Sequence, residues 1–342
     1  MKNKKKTEIN HKISRHYWFS LVILLIWPLL LCTSAYATFS IVAIDPATGE
    51  LGIAVASRYF AVGAVVPWAE ADVGAVATQA NVNVGYGLRA LELLKQGLTA
   101  QQVLDRLLAE DSFRGKDGRQ IAIVDAKGNV AVFTGTAAQD WKGHKKGATY
   151  SVQGNILVGE HVVETMASVF EKTRGELAER LYAALKAGDD AGGDRRGRQS
   201  ASILVVQKRG GRNLNNDRVV FINVDDHPEP MTELRRLLNI QLRINHAGRV
   251  TQLLGDNKVQ EALVEAEKVA YYAPNNPDDH LNLGFIAYLA GEREKSLTAF
   301  RRAKQLTPDF QKAWEAISAR AAYKKISEDR EFVDKVFKEL RP

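Results

Sequence analysis

Thr38 is the residue whose type and position best suit it to chemistry, because it follows Ala35-Tyr36-Ala37, a small-x-small step of the kind that signal peptidase cleaves. A cut after Ala37 makes Thr38 the first residue of the remaining chain. An N-terminal threonine carries its own base: the hydroxyl attacks a carbonyl while the α-amine, with a pKa of about 7.7 to 8.0, accepts the proton. The alternative is that Thr38 is simply the residue that follows a leader.

Side-chain amides follow a predicted strand at residues 73–80. Gln79, Asn81 and Asn83 lie at its end, and an amide N–H there could donate to the oxyanion that forms on attack. Asn81 is the first choice for this role. The alternative is that the three amides only satisfy backbone groups of the loop before Gly85.

A glycine-rich loop carries a dense group of arginines beside one carboxylate. Asp194, Arg195 and Arg196 lie within the segment Gly192-Gly193-Asp194-Arg195-Arg196-Gly197-Arg198. Guanidinium groups bind carboxylate or phosphate through two hydrogen bonds, so the loop is a candidate site for an acidic ligand. It lacks the Gly-Lys-Ser/Thr end of a P-loop, and a solvated basic loop is the alternative.

No metal or cofactor is predicted. Asp225-Asp226-His227 offers only one histidine and two adjacent acids at the end of a strand, and adjacent strand residues point to opposite faces. A salt-bridge or capping role is the preferred interpretation of this segment.

The first 37 residues have the organisation of a signal peptide. Basic residues precede an apolar run from Tyr17 to Cys32, which is shorter than the roughly 20 residues that span a bilayer. We therefore expect an exported protein, periplasmic or secreted, that meets the membrane only through the uncleaved leader. A lipoprotein acylated at Cys32 is the less favoured alternative, because Leu30 and Leu31 stand where small residues are usual.

Most of the net positive charge of the chain lies in that leader. It contains six of the 47 basic residues and one of the 40 acids, so five of the seven net positive charges leave with it. This removes the electrostatic case for a nucleic-acid partner. Cys32, the single cysteine, also leaves, so neither a disulfide nor a cysteine metal site is expected afterwards.

Strand patterns alternate with pairs of helical patterns up to residue 240, which indicates sheets covered by helical layers. A four-layer αββα sandwich fits this order, and a simpler α+β fold is the alternative. The predicted strands cover residues 38–44, 51–57, 73–80, 119–125, 129–134, 200–207 and 218–224. The predicted helices include one that stops at Gly97, one that begins with a Thr99–Gln102 capping box, and others over 162–172, 176–186 (ended by Gly188) and 231–238.

Residues 241–342 are rich in Ala, Leu, Glu and Lys and show no strand pattern. Ala262, Ala266 and Pro274 have counterparts 34 residues later, and Asn282-Leu283-Gly284-Phe285 stands where a tetratricopeptide helix has its Leu-Gly. The region therefore resembles tetratricopeptide repeats. About two units fit, fewer than the usual minimum of three, so we expect the region to pack on the first domain or on a protein partner. An ordinary helical hairpin is the alternative.

Several segments together resemble the bacterial domain-of-unknown-function family 1028. They are Thr38-Phe39-Ser40-Ile41-Val42-Ala43, Gly52-Ile53-Ala54-Val55-Ala56-Ser57-Arg58, Val66-Pro67-Trp68-Ala69-Glu70, Gly154-Asn155-Ile156-Leu157, Gly192-Gly193-Asp194-Arg195-Arg196-Gly197 and Val224-Asp225-Asp226-His227-Pro228. The resemblance covers roughly residues 38–238 and implies an Ntn-hydrolase-like fold. Together with the leader and the repeat pattern, the resemblance gives three predicted parts: a signal peptide (1–37), an Ntn-hydrolase-like domain (38–240) and a tetratricopeptide-like region (241–342).

Comparison with proteasome-type Ntn hydrolases shows a departure. Those enzymes have an Asp before the Ser-Arg pair that matches Ser57-Arg58, whereas this chain has Ala56. No lysine lies between Thr38 and Lys95, so Arg58 is the nearest cation in sequence. Proteasome-like peptidase activity is therefore in doubt, and hydrolysis of small amides and loss of catalysis both stay open.

The leading hypothesis is an exported hydrolase of a small amide or peptide-like bond. Its predicted catalytic residues are Thr38 as nucleophile, Ser57 and Arg58 orienting the amine and acyl group, and Asn81 holding the oxyanion. The predicted substrate-binding residues are Gln79, Asn83, Asn155, Asp194, Arg195 and Arg196. The alternative is a non-catalytic scaffold that binds an acidic ligand and recruits a protein partner through residues 241–342. A homo-oligomer is expected by analogy with Ntn domains.

Overall fold

The structure, a computed structural model, describes residues 37–138, 140–320 and 323–339; the predicted leader up to residue 36, including Cys32, lies outside the described residues. Its strands are β1 (Thr38–Ile44), β2 (Leu51–Ser57), β3 (Pro67–Glu70), β4 (Gly74–Ala80), β5 (Arg119–Asp125), β6 (Val130–Thr134), β7 (Trp141–Lys146), β8 (Tyr150–Leu157), β9 (Ser200–Val206) and β10 (Arg218–Val224). Its helices are α1 (Gly85–Lys95), α2 (Ala100–Glu110), α3 (His161–Lys172), α4 (Leu177–Asp190), α5 (Pro230–Gly255), α6 (Val259–Tyr272), α7 (Pro277–Leu289), α8 (Arg293–Leu306), α9 (Phe310–Ser318), α10 (Lys324–Glu328) and α11 (Arg330–Glu339).

The strands form two antiparallel sheets. A six-stranded sheet has the order β10-β9-β2-β1-β8-β7, and a four-stranded sheet has the order β3-β4-β5-β6. Strands β1 and β2 lie at the centre of the larger sheet and are buried along their whole length, which explains their continuous apolar sequences. Two antiparallel sheets together with the helices form a mixed α/β structure, which is compatible with the predicted α+β class.

Side chains of β1 alternate between two cores. Phe39 and Ile41 pack with the helices α3, α4 and α5, whereas Val42 and Ile44 pack against the smaller sheet. Helices α1 and α2 cover the outer face of that smaller sheet. The order of layers is therefore helices, six-stranded sheet, four-stranded sheet, helices. Because successive strand residues face opposite sides, Thr38 and Ser40 also point toward the smaller sheet.

The structure corrects several predicted elements. Strands β3, β7 and β8 were not predicted; β7 (sequence WKGHKK) carries four polar or charged residues and lies at the sheet edge, so it lacks an apolar period. Gly188 does not end α4, which continues to Asp190. The absent side chain instead allows close packing, since a Cβ on Gly188 would lie 2.7 Å from the Met166 side chain. The Thr99–Gln102 capping box of α2 is confirmed.

The helix predicted over 231–238 is much longer. Helix α5 continues to Gly255 because neither a proline nor a capping signal interrupts it, and so it runs through the predicted domain boundary at residue 240. Among the described residues, none of the helices combines the length and apolar character needed to cross a bilayer.

Helices α6, α7 and α8 pack against one another in sequence order, and Gly284 allows the close approach of α7 and α8. A Cβ on Gly284 would lie 2.3 Å from the ring of Phe300, and the Gly284 carbonyl accepts a 2.7 Å hydrogen bond from Ser296 Oγ. Ala262 on α6 and Ser296 on α8, which are 34 residues apart, are both fully buried.

An ionic cluster joins α5 and α6 to the start of α4. His246 on α5 is fully buried, with Nδ1 2.6 Å from Glu265 Oε2 and Nε2 3.2 Å from Glu176 Oε1. Its ring also stacks on Tyr272 at 5.5 Å between centroids. Although burial favours the neutral ring, the two carboxylates raise the pKa of His246 above its ordinary value.

Candidate active site

Thr38 begins β1 in the middle of the larger sheet and is only 3% exposed. It pairs with Ser57 on β2 and with Asn155 on β8, so the register of two neighbouring strands brings three predicted site residues together. The hydroxyl oxygens of Thr38 and Ser57 lie 3.1 Å apart. The predicted proximity of these two hydroxyls to each other therefore follows from the β1–β2 hairpin.

The carbonyl of Ala37, the group just before Thr38, is held by two donors. Ser57 Oγ donates to it, and Arg196 Nη2 donates across 2.9 Å. Ala37 itself is fully buried. A cation and a hydroxyl that both donate to one carbonyl oxygen polarise its C=O bond and stabilise negative charge on the oxygen. The peptide bond between Ala37 and Thr38 thus lies beside the Thr38 hydroxyl, and two side chains donate to its carbonyl oxygen.

Asp194 holds Arg196 in place. Its carboxylate accepts hydrogen bonds from the Arg196 guanidinium at 3.2 and 2.9 Å and from the Arg196 backbone N–H at 2.8 Å. The same carboxylate accepts the Arg58 backbone N–H at 2.7 Å, which ties the end of β2 to this loop. The Arg58 guanidinium donates to the carbonyl of Arg196. Arg58 therefore supports the loop, while Arg196 reaches the Ala37 carbonyl.

Between the two sheets, buried amide side chains form a continuous hydrogen-bonded network that begins at the Thr38 carbonyl. Gln79 Nε2 and Asn155 Nδ2 both donate to the Thr38 carbonyl, at 3.3 and 3.4 Å, and both donate to Gln120 Oε1, at 2.8 and 3.0 Å. Ser40 Oγ donates to Gln79 Oε1 at 2.7 Å. These four polar side chains are at most 1% exposed. Gln79 and Asn155, predicted to bind substrate, thus hold the Thr38 backbone in this structure.

Gln120, Ser40 and Gln153 are residues of this chain that sequence reasoning missed. Gln153 Nε2 donates to Ser40 Oγ at 2.6 Å, and Ser151 Oγ donates to Gln153 Oε1 at 2.9 Å. The polar residues of β8 recur at every second position, 151, 153 and 155, which is the pattern of a strand with one polar face. That alternation was the available signal.

Ile156, next to Asn155, has a backbone φ of +51°. A β-branched residue in the left-handed region is a genuine outlier, and such strain concentrates at functional sites. The unusual turn directs the Ile156 carbonyl to the Arg195 N–H at 3.1 Å, and the following Leu157 forms a bridge with Asp194. The strained segment thereby links β8 to the arginine loop.

A small cavity adjoins Thr38. It has room for about one water molecule, roughly 20 Å³. Its lining is mostly apolar: Tyr59, Val62, Val65, Val66, Gln79, Ala80 and Val82. The space next to Thr38 is therefore too small for a substrate while Ala37 stays attached and buried.

Other predicted site residues have contacts elsewhere. Asn81 Nδ2 donates to the Gly115 carbonyl at 3.3 Å, and Asn83 Oδ1 accepts the Gly85 N–H at 3.1 Å. Neither amide forms a hydrogen bond with Thr38 in the described part of the chain. The Arg195 side chain is 64% exposed and lies 3.5 Å from Asp140. These three residues are therefore not brought to the Ala37–Thr38 peptide.

The Asp225-Asp226-His227 segment makes local contacts. His227 Nδ1 accepts the Glu229 N–H at 3.0 Å just before α5, and Asp226 accepts a hydrogen bond from Gln199 at 3.1 Å. Within the described ranges, no group of three or more His, Cys, Asp or Glu side chains is arranged to hold a metal ion.

Comparisons with known proteins identify a family for part of this chain. A family model described as a family of unknown function, DUF1028, matches residues 38–234. The chain is also similar to a protein of known structure, SPO2555 from Silicibacter pomeroyi, whose description carries the same family. The two are 32% identical with a TM-score of 0.53, over 59% of this chain and 88% of that one. No curated protein matches the chain.

Proposed function

The chain belongs to the DUF1028 family, whose function is unknown, and on that premise we propose from the site itself that it is an N-terminal threonine hydrolase of a small amide or peptide-like bond. The observation that carries this proposal is the pair of donors, Ser57 Oγ and Arg196 Nη2, on the carbonyl that precedes Thr38. Once the chain is cut after Ala37, these donors face the place where a substrate carbonyl must lie for attack by Thr38.

The reaction follows from the groups present. The Thr38 α-amine takes the proton of Oγ1, and Oγ1 forms a bond to the substrate carbonyl carbon. Arg196 and Ser57 stabilise the oxyanion. The C–N bond then breaks, the leaving amine takes the proton from the α-ammonium group, and an acyl ester remains on Thr38. Water, activated by the same amine, hydrolyses the ester to the acid and restores the enzyme.

The layer order of the fold supports the proposal. Helices, two antiparallel sheets and helices is the arrangement of the Ntn-hydrolase-like αββα sandwich to which we assign residues 38–240. Export supplies the cut in this account, since the leader ends at Ala37. The assignment rests on this order together with the location of Thr38 at the start of a central strand.

For residues 241–342 we propose a tetratricopeptide-like region that contacts a protein partner. The 34-residue spacing of the buried positions Ala262 and Ser296, and the close approach of α7 and α8 at Gly284, support this interpretation. The region also packs through His246 on the first domain, so it does not depend on a third repeat for burial.

The proposal is tested by covalent labelling. The exported protein is exposed to a β-lactone, whose ring opens on a nucleophilic hydroxyl without loss of any atom, and its intact mass and peptide map are measured. We expect one adduct on Thr38, none in Thr38→Ala, and a normal adduct in Thr298→Ala, a change at an exposed helix position.

A second candidate function is a binding scaffold without catalysis. The low exposure of Thr38 and the small size of the adjoining cavity favour it, because both restrict access to the hydroxyl. An exported protein that begins at Thr38 and yet forms no adduct would support this function and contradict the hydrolase.

A further inference from the structure

A large cleft lies between the first domain and the helices that follow it, at the far end of β1 from Thr38. Its volume is about 1130 Å³, within reach of the size of small-molecule sites. The turn between β1 and β2, the start of α4, and α5 and α6 supply its walls. Because β1 has seven residues, the cleft is about 20 Å from Thr38. It is therefore separate from the candidate active site.

Glu50 places a buried carboxylate in the lining of this cleft. It is 8% exposed, yet it forms no ion pair in the described part of the chain. Oε2 accepts one long hydrogen bond, 3.4 Å, from Thr48 Oγ1, and Oε1 has no hydrogen-bond partner among the described residues. Burial and the neighbouring Glu176 raise the pKa of Glu50 above its usual range, against the opposing effect of Arg249. A buried carboxylate without a cation is unfavourable, so this position is suited to a cationic ligand.

Most cationic side chains of the cleft already form ion pairs with other carboxylates. Arg249 lies 3.8 Å from Glu176 and 3.6 Å from Glu265, and Lys268 lies 3.2 and 3.1 Å from the same two carboxylates. Arg235 forms a 2.7 Å ion pair with Glu179, and Lys186 pairs with Asp190. Each of these cations would have to leave a carboxylate in order to pair with Glu50.

The lining also contains one guanidinium that has no ion-pair partner among the described residues. Arg174, in the loop before α4, is exposed and has no ion pair or hydrogen bond in the portion of the chain that the structure describes. Tyr271, which is 75% exposed, and Tyr272 add an aromatic wall. The cleft thus presents one free acid, one free base and an aromatic surface.

We propose that this cleft binds a small zwitterion with a primary ammonium group, an amino acid or short peptide, with its ammonium on Glu50 and its carboxylate toward Arg174. An ammonium supplies the hydrogen-bond donors that Glu50 Oε1 lacks, and guanidinium binds carboxylate through two parallel hydrogen bonds. The site would act as a second recognition site, independent of the chemistry at Thr38.

Isothermal titration tests the proposal with three probes: alanylalanine, its N-acetyl derivative and its C-terminal amide. The host is the exported protein with Thr38→Ala, which removes any heat of turnover. We expect alanylalanine to bind, acetylation to weaken binding at least about tenfold through loss of the ammonium, and amidation to weaken it by a smaller factor. Glu50→Gln should weaken alanylalanine about tenfold, and Glu261→Gln, at an exposed position, should leave it unchanged.

The outcomes separate clearly. Absence of alanylalanine binding at millimolar concentration, or equal binding of the acetylated probe, overturns the proposal without any substitution in the cleft. Equal binding by a folded Glu50→Gln, checked by its thermal transition, also overturns it. Binding by Thr38→Ala as tight as by the parent shows that this site is independent of the hydrolase, so failure of one proposal leaves the other standing.

Discussion

Arg196 Nη2 donates to the carbonyl oxygen of Ala37 across 2.9 Å, and the same nitrogen donates to Asp194 Oδ2 across 2.9 Å. Arginine suits this position because its planar guanidinium can bind a carboxylate and a carbonyl at once, whereas a lysine ammonium is a single point charge. In the proposed hydrolase, Arg196 therefore takes the oxyanion-donor role for which the sequence favours Asn81.

Replacement of this donor should slow the chemistry. We expect Arg196→Lys to reduce the rate of β-lactone acylation of Thr38 about 10²- to 10³-fold, the usual effect of removing one oxyanion donor. Arg195→Lys is the matched control, since that neighbouring side chain is exposed and, among the described residues, pairs only with Asp140 across 3.5 Å; its rate should stay within about twofold. Equal rates for both variants would remove Arg196 from the site.

We expect the buried Gln120 side chain to contribute strongly to the free energy of unfolding. Its side chain accepts from Gln79 and Asn155 and donates to Thr134 at 2.9 Å and to the Gly154 carbonyl at 2.9 Å. Gln120→Leu leaves several buried groups without partners, so we expect the free energy of unfolding to fall by about 3 to 5 kcal/mol.

Urea denaturation measures this loss. Gln101→Leu is the control, because Gln101 lies on the exposed face of α2 and its side chain, within the described ranges, hydrogen-bonds only to Asp105, at 2.8 Å. Its free energy of unfolding should change by less than about 0.5 kcal/mol. A similar small change for Gln120→Leu would contradict the role of the buried amide chain.

Local sequence patterns predicted the parts of this fold that carry their own period or cap. The fully buried strands β1 and β2 have continuous apolar runs, and the capping box of Thr99 and Gln102 predicts the start of α2. Strand β8 does alternate polar and apolar residues, but its polar face is buried against the smaller sheet and does not face solvent, so the alternation alone does not show its place in the core.

The site was predictable only where strand pairing determines it. Ser57 meets Thr38 because both belong to one hairpin, whereas Asn81 lies in a loop whose conformation depends on a distant residue. Arg119 on β5 donates to the Asn81 carbonyl, and Asn81 Nδ2 bonds Gly115. Such long-range contacts leave no local signal, so neither the role of Arg196 nor the displacement of Asn81 could be derived from spacing.

Two glycines in the helical region should respond oppositely to alanine. A Cβ on Gly284 would lie 2.3 Å from the Phe300 ring, so we expect Gly284→Ala to lower the free energy of unfolding by about 1 to 3 kcal/mol through overpacking. Gly248, inside α5, has no atom within 4 Å of its Cβ position, so Gly248→Ala should stabilise by about 0.5 to 1 kcal/mol. Thermal unfolding compares the two, and the same sign for both would contradict the packing at α7 and α8.

His246 should make stability depend on pH. Its pKa is raised in the folded protein by Glu176 and Glu265, which outweigh burial; Arg249 and Lys268 lie beside the same two carboxylates. A raised pKa means that the stabilisation is fully present below the unfolded value of about 6.5 and is lost as pH rises through the folded pKa. The free energy of unfolding should therefore fall over that window, as measured by denaturant titration, and His246→Gln should remove this component. A parent protein whose stability rises across the same window would contradict the assignment.

The identity of the first residue tests the central claim most directly. N-terminal sequencing and intact mass of the protein exported from its full-length gene should give a chain that begins at Thr38 with a free α-amine. A chain that retains Ala37, or that begins beyond Thr38, would contradict the account, because the base that activates the threonine hydroxyl would then be missing.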